Sequence, residues 1–216
     1  MFCHLPRFRH MGPGALDAIY GKGYWLNLLH DDAIRNYLLA FYAYLAFNLE
    51  HETFVSRESN VLYPSDLHQR SAFPTADISD PLVCGSAVVL HLVRHLLVTE
   101  ERGVAGGYSG NLLLLAGVPR PWLQDGKAIR LREMLTHFGP MSLEVRSRVG
   151  KRHIEARFTP PVRNPCQTFK LRFRHPNGSP MQSVRVNGKP WSNFDPAQEW
   201  ILLPGNVGPC RIEARY

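Results

Sequence analysis

The stretch Gly117-Val-Pro-Arg-Pro-Trp-Leu-Gln-Asp-Gly-Lys-Ala-Ile-Arg-Leu131 is where the chain changes its hydrophobic period. Before it, apolar residues recur every three or four positions; after it, they recur every second position. The first spacing belongs to helices that bury one side, the second to half-buried strands. Pro119 and Pro121 bar a helix or an internal strand from running through, because proline fixes φ and has no N–H to donate. Asp125-Gly126 signals a turn. The expected fold is therefore α+β with two domains: a helical segment over 1–118 and an antiparallel β-sandwich over 119–216.

Downstream of the hinge the alternation is clean: Ile129/Leu131, Met141/Leu143/Val145, Ile154/Ala156/Phe158, Phe169/Leu171/Phe173, Val184/Val186, Ile201/Leu203 and Ile212/Ala214/Tyr216. Turn signals such as Asn177-Gly178, Asn187-Gly188 and Pro204-Gly205 separate the runs. Short strands with one apolar face each read as an antiparallel sandwich. Upstream, Ala15–Leu29 reads as a helix weakened by Gly21 and Gly23. A second helix, capped by Asp31, runs from Asp32 to about Glu50. Ile34, Leu38, Tyr42, Leu45 and Leu49 fall on one side of it, while Tyr37, Phe41, Tyr44 and Phe47 fill much of the rest. A helix apolar nearly all round needs cover on most sides, and this chain offers few helices to provide it. A third helix follows Ser79-Asp80-Pro81, with Val88, Val89, Leu92, Val93, Leu96 and Leu97 as its buried stripe and His91, Arg94, His95 and Val98 opposite. Asn111–Ala116 reads as a buried strand leading into the hinge.

Composition excludes little. The chain has 216 residues and a formal charge of +7. That charge is uneven: Met1–Val118 holds 8 Lys+Arg against 11 Asp+Glu, and Pro119–Tyr216 holds 17 against 7. A basic β half suits nucleic acid or an acidic glycan. Its arginines alternate with apolar residues and sit beside glutamates, the pattern of a solvated face, so no nucleic-acid partner is expected. Cys3, Cys84, Cys166 and Cys210 form no CxxC pair, and reduced thiols are expected, although Cys166 and Cys210 start two strands and could pair. His91-x-x-x-His95 has helical metal spacing but lacks a third ligand. No metal and no cofactor are expected. Met1–His10 has no apolar run of the kind a secretory leader needs, and Leu82–Val98 is interrupted by His91, Arg94 and His95, so it reads as a core helix and no membrane partner is expected.

Converging acid chemistry occurs in one place, the polar connection between the second and third helices. It holds Glu58, Asp66, Asp77, His68 and Arg70, with Phe54, Val55, Tyr63 and Phe73 among its apolar anchors. Glycoside hydrolysis needs one carboxyl as acid and another as base or nucleophile across the sugar, and such a loop can supply one of them. The bland alternative is that these carboxylates cap helices and pair with Arg57 and Arg70. Trp25 and Tyr63 have faces on which sugar rings stack, though aromatic residues at helical spacing are more often core.

Several stretches together resemble the C-terminal end of six-hairpin glycosidases. They are Phe54-Val-Ser-Arg-Glu-Ser59, the helix Val89–Glu101 ending Leu-Val-Thr-Glu-Glu, and Leu112-Leu-Leu-Leu-Ala-Gly-Val-Pro-Arg-Pro-Trp-Leu-Gln-Asp-Gly-Lys127. Thr136-His-Phe-Gly-Pro-Met-Ser-Leu-Glu-Val-Arg-Ser147 and Val184-Arg-Val-Asn-Gly188 complete the set. In that family a toroid of α-hairpins carries the active site and a β-sandwich follows. The resemblance implies that residues 1–118 are the last hairpins of such a toroid. It also implies hydrolysis through acid and base carboxylates, often with inversion, on a carbohydrate partner. Most of the barrel and at least one catalytic carboxyl would then lie in an upstream helical part of the same parent protein, and this chain would not be active by itself. A secreted or periplasmic parent is compatible with it. Among residues present, Glu58 matches a loop carboxylate at the toroid mouth, with Asp66 and Asp77 behind it; Trp25, Tyr63, His68 and Arg70 are the candidate substrate contacts. The alternative is a carbohydrate-binding or structural sandwich module without catalysis.

Overall fold

The computed structural model describes residues 15–49, 52–56, 59–61, 83–103 and 107–216. It is α+β: a helical part that carries one two-stranded sheet, then two larger sheets that are antiparallel at all but one strand pair. The chain divides into two compact units, Met1–His95 and Leu96–Tyr216. The strand-bearing unit therefore begins well before the change of period at 118/119, because two strands upstream of the hinge pair into its sheet.

In the first unit a short strand β1 (Ala15–Asp17) pairs antiparallel with β2 (Ser59–Val61), a pairing without any signal in the sequence pattern. Helix α1 (Ala18–His30) follows β1, and α2 (Ile34–Asn48) comes next. Asp31 does not cap α2. The residue before the helix is Ala33, without a side-chain cap bond, and Asp32 sits at φ 56 in the turn between the helices. The buried stripe of α2 is also not the aliphatic one: Ile34, Tyr37, Phe41 and Tyr44 are buried, whereas Tyr42 is 48% exposed. Helix α3 (Val83–Leu97) lies antiparallel to α2, joined by two rungs seven residues apart. Tyr37 donates to the Leu92 carbonyl at 2.9 Å, and Tyr44 donates to the Gly85 carbonyl at 3.1 Å. The phenols explain why aromatics won this face: each buries a large ring and satisfies its own hydroxyl. Val88, Leu92 and Leu96 form the buried stripe of α3, as the periodicity predicts.

Helix α3 stops at Leu97, four residues short of the Val89–Glu101 helix expected from the resemblance. The β-branched Val98-Thr99 pair starts strand β3 (Val98–Arg102), so Val98 is fully buried rather than opposite the stripe. Strand β4 (Tyr108–Leu114) follows, and Arg120–Leu123 forms a single 3-10 turn. Then come β5 (Ala128–Thr136), β6 (Gly139–Arg148), β7 (His153–Thr159), β8 (Thr168–Arg172) and β9 (Ser183–Val186). The last four are β10 (Lys189–Trp191), β11 (Phe194–Asp195), β12 (Trp200–Pro204) and β13 (Cys210–Arg215).

One sheet has the order β10-β9-β13-β7-β6-β5, and the other β11-β12-β8-β4-β3. The expected antiparallel sandwich is present, with one parallel pair within it: β4 and β8, Leu112 opposite Phe169. The chain leaves β4 to build β5 to β7 in the facing sheet before it returns, and a return of that kind can re-enter in the same direction. Phe158 of one sheet and Phe169 of the other meet edge to face at 5.1 Å, which marks the interior. Val145, Ile154, Phe169, Leu171, Ile201 and Ile212 are all fully buried there. Each such side chain contributes about 1.5–3 kcal/mol by leaving water. Cys166 and Cys210 are free thiols.

Candidate functional site

Glu58, Asp66, Asp77, Tyr63, His68 and Arg70 lie outside the described residues. On the near side of that segment, Leu49 and Ser56 form an isolated antiparallel bridge, and the buried Ser56 hydroxyl lies 3.0 Å from that of Ser86 on α3. Phe54, expected as an apolar anchor, is 73% exposed and sits at φ 56. Trp25 is only 1% exposed: its ring packs at 5.1 Å from Tyr44, so α1 and α2 hold it as a core residue. Its Nε1–H has no partner among the described residues.

The hinge that marks the change of period is anchored by a partly buried ion pair. Arg120, inside the 3-10 turn, forks onto Glu199 with bonds of 2.8 and 2.9 Å and donates to the His175 carbonyl at 2.6 Å. Glu199 is buried, holds φ 64, and also accepts the His175 N–H at 3.1 Å. The His175 ring accepts backbone N–H bonds from Asn177 and Ser179 on Nδ1, and packs 4.6 Å from the Tyr216 ring. Burial pushes the His175 ring below its usual proton affinity, only partly offset by the Glu199 charge. The cluster locks the Pro-Arg-Pro-Trp-Leu turn to the β8–β9 loop.

A second carboxylate cluster ties three strands. Glu101 on β3 accepts from Ser109 at 2.9 Å and Asn111 at 2.6 Å, both on β4, and from Lys170 on β8 at 2.6 Å. Burial raises this carboxyl, but the three donors outweigh that and hold it below the usual carboxylate range.

The third feature was not legible as a site in the sequence. Register places the outward side chains of the six-stranded sheet in rows. One row runs Arg130, Glu144, Arg157, Arg211 across β5, β6, β7 and β13. The next runs Arg146, Glu155, Glu213, Arg185 across β6, β7, β13 and β9. Glu144 is shared by Arg130 at 3.2 Å and Arg146 at 2.9 Å. Glu155 is shared by Arg148 at 3.2 Å and Arg211. Arg146 and then Arg130 hold the Glu144 carboxyl below its usual range; burial raises Glu155, but the bond from Arg211 more than offsets it. Arg157 stands between these pairs with no ion pair among the described residues. Concavities of about 210 and 620 Å³ open around it. The sequence showed a surplus of arginine and its outward alternation, but not which strands are neighbours, so which arginines pair with which glutamates could not be read.

Among the described residues no cluster of three or more His, Cys, Asp or Glu is placed to hold a metal ion. His91 and His95 stack edge to face at 4.4 Å on α3. No described helix is long and apolar enough to cross a membrane.

No family model and no curated protein matches the chain. Solved structures similar to it include one described as a glycoside hydrolase, at 14% identity and a TM-score of 0.35, covering 92% of this chain and 29% of that one. Another is the α-L-rhamnosidase from Dictyoglumus thermophilum, at 9% identity and a TM-score of 0.35, covering 68% of this chain and 15% of that one. The chain spans less than a third of the length of either.

Proposed function

We propose that this chain is the C-terminal part of a glycoside hydrolase-like protein acting on oligo- or polysaccharide, with the last hairpins of an α/α toroid ahead of its sandwich, and that it does not hydrolyse alone. The observation that carries the reading is the two-sided apolar character of α2 and α3. Their inner stripes are buried on each other through Tyr37, Tyr44 and Leu92, yet Leu39 is 55% exposed and Leu90 is 71% exposed on their other sides. Helices of a toroid bury both sides, one on each neighbour, and a terminal pair stripped of neighbours presents such a surface. The motif resemblance from Phe54 to Gly188 points the same way. In this reading Glu58 is the carboxylate contributed to the sugar site, with Asp66 and Asp77 as second choices and Tyr63, His68 and Arg70 as sugar contacts. Trp25, enclosed by α1 and α2, serves packing. A second carboxyl must come from the upstream part, since glycosidic cleavage needs an acid and a base or nucleophile on opposite faces of the ring.

The test compares two proteins on a panel of aryl glycosides and mixed oligosaccharides: this chain, and the same chain extended upstream in its natural reading frame. Turnover by the extended protein alone, abolished by Glu58→Gln, is the expected result. Robust turnover by the short chain, or an extended protein indifferent to Glu58→Gln, Asp66→Asn and Asp77→Asn, overturns the proposal.

A further inference from the structure

We propose that the outer face of the six-stranded sheet, centred on Arg157, is a binding site for carboxylate-bearing oligosaccharides. The inference concerns the sandwich unit alone and stands whether or not the helical unit belongs to a hydrolase.

Four features separate this face from an ordinary solvated surface. First, its glutamates are oversubscribed: Glu144 and Glu155 each hold two arginines, so the face keeps a surplus of positive charge after its own pairing is complete. Second, the surplus is placed centrally. Arg157 lies opposite Glu144 on β6 and opposite Arg211 on β13. Both neighbours are engaged elsewhere, so Arg157 has a full set of donors to offer. Third, Arg157 lines both concavities, which open on either side of it. Fourth, every cation lining those two concavities is arginine, with Arg146 common to both and Arg130 and Arg211 at the two ends. The guanidinium fork matches a carboxylate with two parallel bonds, which an ammonium group cannot do.

The choice of ligand follows from the mixture of charges. A duplex or single-stranded nucleic acid would lay closely spaced phosphates along the rows, and Glu144 and Glu155 stand in those rows. A glycan with carboxylates on some of its sugars fits better. Its carboxylate takes the unengaged fork of Arg157 with two parallel bonds, whereas the arginines beside it reach Glu144 and Glu155 through one carboxylate oxygen each. Its hydroxyls donate to the outward oxygens of Glu144 and Glu155. Strands about 4.8 Å apart put Arg130 and Arg157, two strands from each other, about 10 Å apart, a separation bridged by two consecutive sugars of a glycan chain.

The experiment is equilibrium titration of the full chain with oligogalacturonate, with the same oligomer methyl-esterified at its carboxyls, and with duplex DNA, all in one low-salt buffer. The expected result is binding to oligogalacturonate that weakens about tenfold or more on esterification and falls with added salt. Arg157→Gln should abolish it without moving the thermal midpoint, since this exposed side chain makes no ion pair to lose. Arg157→Lys should restore only part, because it returns the charge without the fork. Absence of binding by the native chain, equal binding of the esterified oligomer, undiminished binding by Arg157→Gln, or tighter binding of DNA than of oligogalacturonate would each overturn the proposal.

Discussion

At the scale of single residues, His175 shows how a buried neutral imidazole becomes a pH liability. Its Nδ1 accepts two backbone N–H bonds, from Asn177 at 3.2 Å and Ser179 at 3.3 Å, so that nitrogen carries no proton in the folded state. Protonation there would break both bonds and place a cation in a site where burial already lowers the proton affinity. The folded-state affinity lies below the unfolded one, so the associated stability is fully present above the unfolded value of about 6.5 and is lost as pH falls below it. The depressed carboxylates, Glu101 among them, act in the same direction but in a more acid window. Between about pH 6.5 and 5, His175 therefore contributes to the slope. Chemical unfolding midpoints measured across that range should fall more steeply for the native chain than for His175→Asn, whose amide oxygen can accept in place of Nδ1. Parallel slopes for the two proteins would remove His175 from this role.

At the scale of elements, what was legible followed from how many alternating residues a strand offers. All seven runs read from Ile129 onward form strands, because each carries two or three inward apolar side chains at period two. Strands β10 and β11, at the ends of their sheets, escaped notice. Lys189-Pro-Trp191 is three residues long with Pro190 inside it, tolerable only where a ladder bond is not needed, and Phe194-Asp195 is too short to show a period. Strand β3 was hidden by α3, whose stripe runs into it without a break. The capping prediction for α2 failed because Asp32 turned left-handed and moved the helix start to Ile34. The Asn187-Gly188 turn held: both residues have positive φ, 50° and 78°, as a two-residue hairpin between β9 and β10 requires. A tighter demand falls on Gly205, in the turn after β12. Its N–H bonds the Gln167 carbonyl at 2.9 Å, and a Cβ there would fall inside the carbonyl group of Cys166, which is backbone and cannot swing aside. Gly205→Ala must push the β8 lead-in away from the turn and should cost about 3 kcal/mol or more. A denaturant titration giving a loss under about 1 kcal/mol would show that the two segments part easily.

At the scale of the whole molecule, the two units differ in how far their apolar residues are enclosed. The sandwich has one continuous core running from Val98 to Tyr216, contributed by both sheets. The helical unit has a smaller described core around Trp25, Tyr37, Tyr44 and Leu92, and it leaves Leu39, Tyr42 and Leu90 at its surface. The all-round apolar pattern of α2 announced this, but not which side would be covered; tyrosines able to reach the Gly85 and Leu92 carbonyls decided that. If the uncovered side belongs against further helices of a longer protein, one substitution should behave differently in two settings. Leu39→Lys in this chain places a charge where solvent already reaches, so its effect on stability should stay within about 0.5 kcal/mol. In the upstream-extended protein the same lysine would be driven into a helix–helix contact, and the loss should reach about 2 kcal/mol or more. Matched unfolding titrations of the four proteins, native and variant in both lengths, measure the difference. Equal small effects in both lengths would mean that no neighbour covers Leu39 and that α2 faces water in the parent as well.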